Sequence, residues 1–116
     1  MKTRVLVCDP HPEVRGLLLR VAERLGYDAV AVHSSELERA PAADVLVLDP
    51  TDDEVLAFGR ALRERDPSLA VVVVCSLPPV AAVSALEPVA VLLKPFPLAE
   101  LERALTVAAV AEAVGA

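Results

Sequence analysis

The chain has 116 residues, about one domain, and 55% of them are hydrophobic against 24% charged, which excludes a disordered or solvating segment. A net charge of −6 argues against nucleic acid or an anionic membrane surface as the main partner, and 3% aromatics with no Trp excludes a base-stacking platform. Cys8 and Cys75 are too few for a disulfide framework or a zinc site; both end Val-rich runs, where a buried thiol is the plain reading.

The apolar pattern alternates between two periods along the chain. Val5-Leu6-Val7-Cys8 is a short apolar run closed by Asp9-Pro10, a strand buried on both faces. Val14, Leu17, Leu18, Val21, Ala22 and Leu25 then recur at helical spacing, with Arg15, Arg20, Glu23 and Arg24 off the stripe. Pro12 suits the first turn of that helix and Gly26 its C-terminal stop. Ala29 to Val32 reads as a second strand, followed by a short helix capped by Ser34, carrying Leu37, and ended by Pro41. Val45 to Leu48 is a third strand closed by Asp49-Pro50, and Val55, Phe58, Gly59 and Leu62 mark a helix stopped at Asp66-Pro67. Ala70 to Val74 is a fourth strand, Pro79 to Leu86 a short fourth helix, and Val89 to Leu93 a fifth strand closed by Lys94-Pro95. Leu98, Leu101, Leu105 and Ala108 make the fifth helix.

Short helices between Val-rich strands predict a (βα)5 unit: a parallel sheet with helices on both faces, one domain over residues 1–116 with no linker or repeat. Only four apolar residues separate Arg4 from Asp9, so no signal peptide fits. The uncharged stretch from Pro67 to Leu86 has the length of a membrane span, but prolines and serines interrupt it and a strand–turn–helix reading is more natural. The expectation is a cytoplasmic protein with no membrane partner.

In open α/β sheets, sites form outside the carboxyl ends of the strands. Three charged residues stand there: Asp9 after strand one, Asp49 after strand three and Lys94 after strand five. Each alone has a bland explanation, an Asp as turn or cap residue and a Lys before Pro by chance. Together they point to a shared site, because a carboxylate at the end of a buried strand costs desolvation unless it is paired or holds a cation. Two close carboxylates need a metal ion or a lysine between them. Lysine is scarce, Lys2 and Lys94 alone against nine arginines, so a compact ammonium at Lys94 stands out from the chain's usage.

These residues lie in segments that resemble the receiver domain of bacterial response regulators over nearly the whole chain. The matching pieces are Val5 to Arg15 (VLVCDPHPEVR), Asp44 to Asp49 (DVLVLD), Leu62 to Pro67 (LRERDP) and Leu92 to Phe96 (LLKPF) followed by Leu98 and Leu101. The resemblance implies a flavodoxin-like doubly wound fold with strand order 2-1-3-4-5. It implies a phosphoryl group accepted on Asp49 from a histidine kinase or phosphotransfer protein, with in-line attack by the carboxylate. Asp9 and Asp49, with the backbone carbonyl of Thr51, would hold Mg²⁺; Lys94 would contact the phosphoryl group; the bond before Pro95 would be cis. No turnover of an external substrate is implied, so the chain reads as a signalling domain rather than an enzyme.

Several positions depart from the family pattern. Pro10 replaces the second acidic residue after strand one, which implies weak Mg²⁺ binding; Glu13 one turn on is the remaining acid, and His11 reads as an exposed loop histidine or a neighbour of the site. The hydroxyl that senses the phosphoryl group falls at Cys75, a poor donor, with Ser76 next if the strand slips by one residue. The switch aromatic of strand five falls at Val91, which removes the usual two-state readout. Pro50-Thr51-Asp52-Asp53 lacks the customary Met-Pro and Asp-Gly, and Pro88-Val89 replaces Gly-Ala. The alternative is therefore a pseudo-receiver, an interaction domain that works without phosphorylation.

No charge occurs from Leu77 to Leu86, nor between Arg103 and Glu112. On the last helix Leu101, Leu105 and Ala108 form the core stripe, while Val107, Val110 and Val114 form a second one that a surface helix does not need. Beside the reading as a tolerant Ala-rich surface, this predicts a contact face built from the fourth helix, fifth strand and fifth helix, for a homodimer or an output partner. With no output domain in the sequence, the chain is expected to act through another protein or to be a fragment of a longer one. Three enzyme or cofactor readings are weaker. A cobalamin module would start as Asp9-Pro10-His11 does but needs glycine at Val14; a hydrolase with Asp49 as nucleophile needs a second acid at Thr51; a nucleotide-binding domain needs a Gly-rich first loop where Pro10 and Pro12 stand.

Overall fold

The computed structural model describes residues 2–77 and 80–115, without the side chains of residues 34, 37, 38, 80, 82, 83 and 113–115. Five strands form one parallel sheet in the order β2-β1-β3-β4-β5: β1 (Arg4–Cys8), β2 (Asp28–Ala31), β3 (Val45–Leu48), β4 (Ala70–Cys75) and β5 (Ala90–Leu93). Four α-helices connect or follow them: α1 (Pro12–Arg24), α2 (Asp53–Arg65), α3 (Val80–Leu86) and α4 (Leu98–Gly115). The architecture and strand order are those expected from the sequence.

The pleat sorts the strand residues onto two cores. Val5, Val7, Val45, Val47, Val72 and Val74 face α1 and α4, against Leu18, Val21, Leu101 and Leu105. Leu6, Leu46, Leu48, Val71 and Val73 face the other side, against Val55, Phe58, Leu62 and Leu86. Both faces of β1, β3 and β4 are therefore dry, which is why these strands read as unbroken apolar runs. Gly59 lets α2 approach β3, because a Cβ there would stand 2.6 Å from Leu48 Cδ1.

Helix ends follow local chemistry. Pro12 opens α1, and Gly26 at φ 91° closes it: its N–H donates to the Glu23 carbonyl (2.9 Å) and that of Tyr27 to the Ala22 carbonyl (3.0 Å), a Schellman stop. Asp52 caps α2 by accepting from the N–H groups of Glu54 (2.8 Å) and Val55 (3.3 Å). The second helix of the sequence reading is instead a kinked 3-10 segment, Ser34–Arg39, with Glu36 at φ −101° and ψ 19°. Six residues are too few to hold an α-helix against solvent, and here the Glu36 carboxylate accepts from the His33 N–H (2.9 Å). The expected Ser34 cap lies outside the described side chains, as does the Val114 part of the second stripe; the expected start of the fourth helix at Pro79 lies outside the described residues. The fourth and fifth helices of the sequence reading are α3 and α4. No helix among the described residues is long and apolar enough to cross a membrane.

Candidate functional site

A parallel sheet puts the C-terminal ends of all its strands on one edge. The chain runs outward from β1 to β2 and then returns to β3 on the other side, so the direction reverses between β1 and β3. Asp9 follows β1, Asp49 follows β3, and both flank that crevice. Lys94 follows the edge strand β5 and reaches across to meet them.

The three side chains form one buried group. Lys94 Nζ donates to Asp9 Oδ2 at 2.9 Å and to Asp49 Oδ2 at 2.8 Å. The side chains of Asp9 and Asp49 are 0% and 4% exposed, and that of Lys94 only 12%. The second oxygens are held by turns: Asp49 Oδ1 accepts from the Thr51 N–H (2.9 Å) and Asp9 Oδ1 from the His11 N–H (2.8 Å), while His11 Nδ1 stands 3.2 Å from Asp9 Oδ1 and 3.4 Å from Lys94 Nζ. Arg15, one turn into α1, donates to the Asp9 carbonyl at 3.1 Å. No buried side-chain polar atom among the described residues lacks a partner.

Burial acts most strongly on the Asp49 carboxyl and pushes its pKa up, but the bonds from Lys94 and Thr51 outweigh it, and the net position is below the ordinary 3.8. Lys94 is the mirror case: burial favours loss of its proton, the two carboxylates outweigh burial, and it is held above the ordinary 10.5. Counted at their formal charges, the three residues are two carboxylates around one ammonium, a net charge of −1.

A divalent cation fits this donor set. Asp9, His11 and Asp49 offer one ligand atom each, all within 4.8 Å of one another, and the residual negative charge favours a cation. Thr51, the third residue expected at the metal, is brought to Asp49 through its own N–H.

The sensor positions separate. Cys75 is the last residue of β4, fully buried in the core on the α2–α3 side. Burial, and then the Asp49 charge, push its thiol above the usual range, so it stays protonated. Ser76 is exposed and lines a cleft of about 440 Å³ with His11, Pro12, Glu13, Val14 and Lys94. The hydroxyl open to the cleft is therefore that of Ser76. Cys8 is likewise buried, and burial raises it to about 11. Val91, where the resemblance leads to the expectation of a switch aromatic, is 41% exposed and carries no polar group. The Lys94–Pro95 bond is cis.

One contact had no place in the sequence reading, and a second was one of two readings left open there. Arg15 was expected only as a residue off the apolar stripe, yet its guanidinium returns to the strand end. His11, taken as a loop histidine or a neighbour, has a ring that is 64% exposed with its Nδ1 turned onto Asp9. A cation six residues past Asp9, and a histidine two past it, were the available signals.

No protein-family model matches the chain, and no curated protein does. Solved structures do match its shape. A response regulator receiver domain protein (CheY-like) of Methanospirillum hungatei JF-1 superposes with a TM-score of 0.85 at 13% identity, covering 100% of both chains. NtrX of Brucella abortus gives 0.84 at 22% identity over 98% of this chain, which spans only 28% of NtrX. A putative pilus assembly protein (cpaE) of Burkholderia thailandensis E264 gives 0.74 at 22% identity, over 93% of this chain and 98% of that one. The chain thus has the fold of response-regulator receiver domains, with two buried carboxylates and a lysine gathered at the carboxyl edge of its sheet.

Proposed function

We propose that residues 1–116 act as one receiver domain in two-component or phosphorelay signalling, accepting a phosphoryl group on Asp49. The observation that carries this reading is the bridge from Lys94 Nζ to both Asp9 and Asp49 in the crevice between β1 and β3. A buried acid pair bridged by one ammonium is poised to receive a dianionic group. A carboxylate oxygen of Asp49 forms the new P–O bond as the P–N bond of a donor phosphohistidine breaks; the donor imidazole keeps the electron pair and takes up a proton. Asp9 and Asp49, with the carbonyl of Thr51, are the residues that would hold Mg²⁺, which when bound neutralises charge on the phosphoryl oxygens. Lys94 transfers its hydrogen bond from Asp49 to a phosphoryl oxygen, and Ser76 offers a hydroxyl from the cleft wall. The phosphoryl group ends on the chain's own side chain, so the domain is not an enzyme acting on an external substrate. Its partners are a histidine kinase or phosphotransfer protein and an output protein, in the cytoplasm.

A second reading is favoured by Cys75, Val91 and Pro10. With no acid at Pro10, no hydroxyl at Cys75 and no aromatic at Val91, the chain acts as a pseudo-receiver that binds its partner without phosphorylation. The partner face in either case is built from the half-exposed apolar residues Val89, Val91 and Leu93 at and just before β5 and Val107 and Val110 on α4, used for output or for a homodimer. An amide NMR titration with Mg²⁺ and then beryllofluoride, which stands in for the acyl phosphate, separates the two. Shifts at Asp9, Ser76 and Lys94 that spread to α4, and that vanish in Asp49→Asn, support phosphorylation. An unchanged spectrum leaves the pseudo-receiver.

A further inference from the structure

The two carboxylates divide their oxygens between two sets of partners. Oδ2 of each is on Lys94, at 2.9 Å for Asp9 and 2.8 Å for Asp49. Asp9 Oδ1 is on His11, whose backbone N–H (2.8 Å) fixes the turn and whose Nδ1 stands 3.2 Å from that oxygen and 3.4 Å from Lys94 Nζ. That spacing has chemical meaning. Two atoms bound to one cation at about 2.1 Å stand about 3.0 Å apart at a right angle and about 3.4 Å apart at the tetrahedral angle. The pair Nδ1–Oδ1 falls between these values, and an Asp49 oxygen completes a set within 4.8 Å. The acids in this set are buried, while the imidazole is 64% exposed.

The donor types decide which ion. Pro10 contributes no carboxylate, so the third side-chain donor is a nitrogen. Mg²⁺ is hard, keeps its waters and is held through oxygen; imidazole suits Zn²⁺ and its first-row neighbours. We propose that His11 Nδ1, with one oxygen each from Asp9 and Asp49, forms a mixed nitrogen–oxygen site for a transition-metal dication of the Co²⁺ or Zn²⁺ type, in preference to Mg²⁺. This rests on the cation-assisted reading of the site and changes the ion that serves it. Lys94 keeps the Oδ2 oxygens but gives up its 3.4 Å contact with His11 Nδ1 when the ion enters, and the net formal charge of −1 on the three charged residues leaves attraction for a dication.

The test is binding of Co²⁺ and of Mg²⁺ to tag-free protein, by calorimetry and by the visible absorption of bound Co²⁺, for wild type, His11→Asn, His33→Asn and Asp9→Asn. Wild type is expected to bind Co²⁺ at least about tenfold more tightly than Mg²⁺, and His11→Asn to lose about tenfold or more of the Co²⁺ affinity while Mg²⁺ binding stays within about twofold. Asp9→Asn is expected to weaken both ions, and His33→Asn neither. The proposal is overturned if His11→Asn binds Co²⁺ as wild type does, if the loss follows His33→Asn instead, or if a thiolate–Co²⁺ band shows the ion on Cys8 or Cys75. Beryllofluoride separates this from the functional reading. A response with Mg²⁺, without His11-dependent Co²⁺ binding, sinks the metal preference and leaves the receiver. His11-dependent Co²⁺ binding without any beryllofluoride response, under either ion, sinks phosphorylation and leaves the metal site.

Discussion

At the carboxyl edge of the sheet, Lys94 spends its ammonium on two carboxylates. At the opposite edge, Arg63 spends its guanidinium on backbone carbonyls alone. It donates from Nε and Nη2 to Leu86 (3.1 and 3.0 Å), from Nη2 to Glu87 (3.3 Å), and from Nη1 to Pro67 (3.1 Å) and Leu69 (2.6 Å). One side chain thereby ties the end of α2 to the end of α3 and to the entry of β4. Carbonyls do not titrate and carry no net charge, so this contact is a structural brace. Carboxylates titrate and carry charge, so Lys94 holds a position that a metal ion or a phosphoryl group can contest. The chemistry of what a buried cation touches, more than its burial, separates a brace from a site.

The largest effect is expected at Lys94. Lys94→Met leaves two carboxylates buried without their cation and should cost about 3–5 kcal/mol at neutral pH, read by urea unfolding. The deficit should shrink below about pH 5, because an unpaired buried carboxyl has a raised pKa and is stabilised by taking up a proton. A deficit independent of pH would mean that Lys94 matters by packing alone.

Arg63→Met should follow, at about 2–3 kcal/mol, since it strands carbonyls at two chain junctions. Arg63→Lys should recover less than half, because an ammonium cannot reproduce the planar fork. Neither should alter a beryllofluoride response in the folded protein; a changed response would couple the two edges and weaken the contrast drawn between them.

Smaller again is the pH dependence of the wild type. Asp49 sits below its ordinary value, so its contribution is present above 3.8 and is lost as pH falls through its folded value. Lys94 sits above its ordinary value, so its contribution is whole below 10.5 and is lost as pH rises through its folded value. Stability measured against pH should thus be level near neutrality and fall at both ends, and Asp49→Asn should flatten the acid limb.

The smallest effect is expected beside Arg63. Glu87 holds φ at 49°, a left-handed conformation costly for a residue with a Cβ. Glu87→Gly should be stabilising by about 0.5–1 kcal/mol in the same unfolding assay, and a loss instead would mean that the Glu87 side chain contributes more than its backbone strain costs.

Much of the fold was legible because both faces of the central strands are buried. A run such as Val45 to Leu48 then carries no polar residue until the chain leaves the sheet, so its end is marked by Asp49. The same logic made Asp9 and Lys94 visible. The 3-10 segment at Ser34–Arg39 was misread because capping and spacing cues exist there without the length that makes a helix hold. Cys75 and Ser76 were ambiguous because adjacent strand residues face opposite sides; burial of one and exposure of the other resolves which hydroxyl meets the cleft.

By itself the sequence determined the alternation of strands and helices, the parallel sheet and the charged residues at its carboxyl edge, because hydrophobic period and strand length are local properties. Only the tertiary structure decided what those charges do to one another. Lys94 meets Asp9 across 85 residues of chain and Asp49 across 45, Arg63 reaches carbonyls 23 residues away, and His11 turns Nδ1 onto Asp9. These are distances and directions, set by how the elements pack, and no local pattern encodes them.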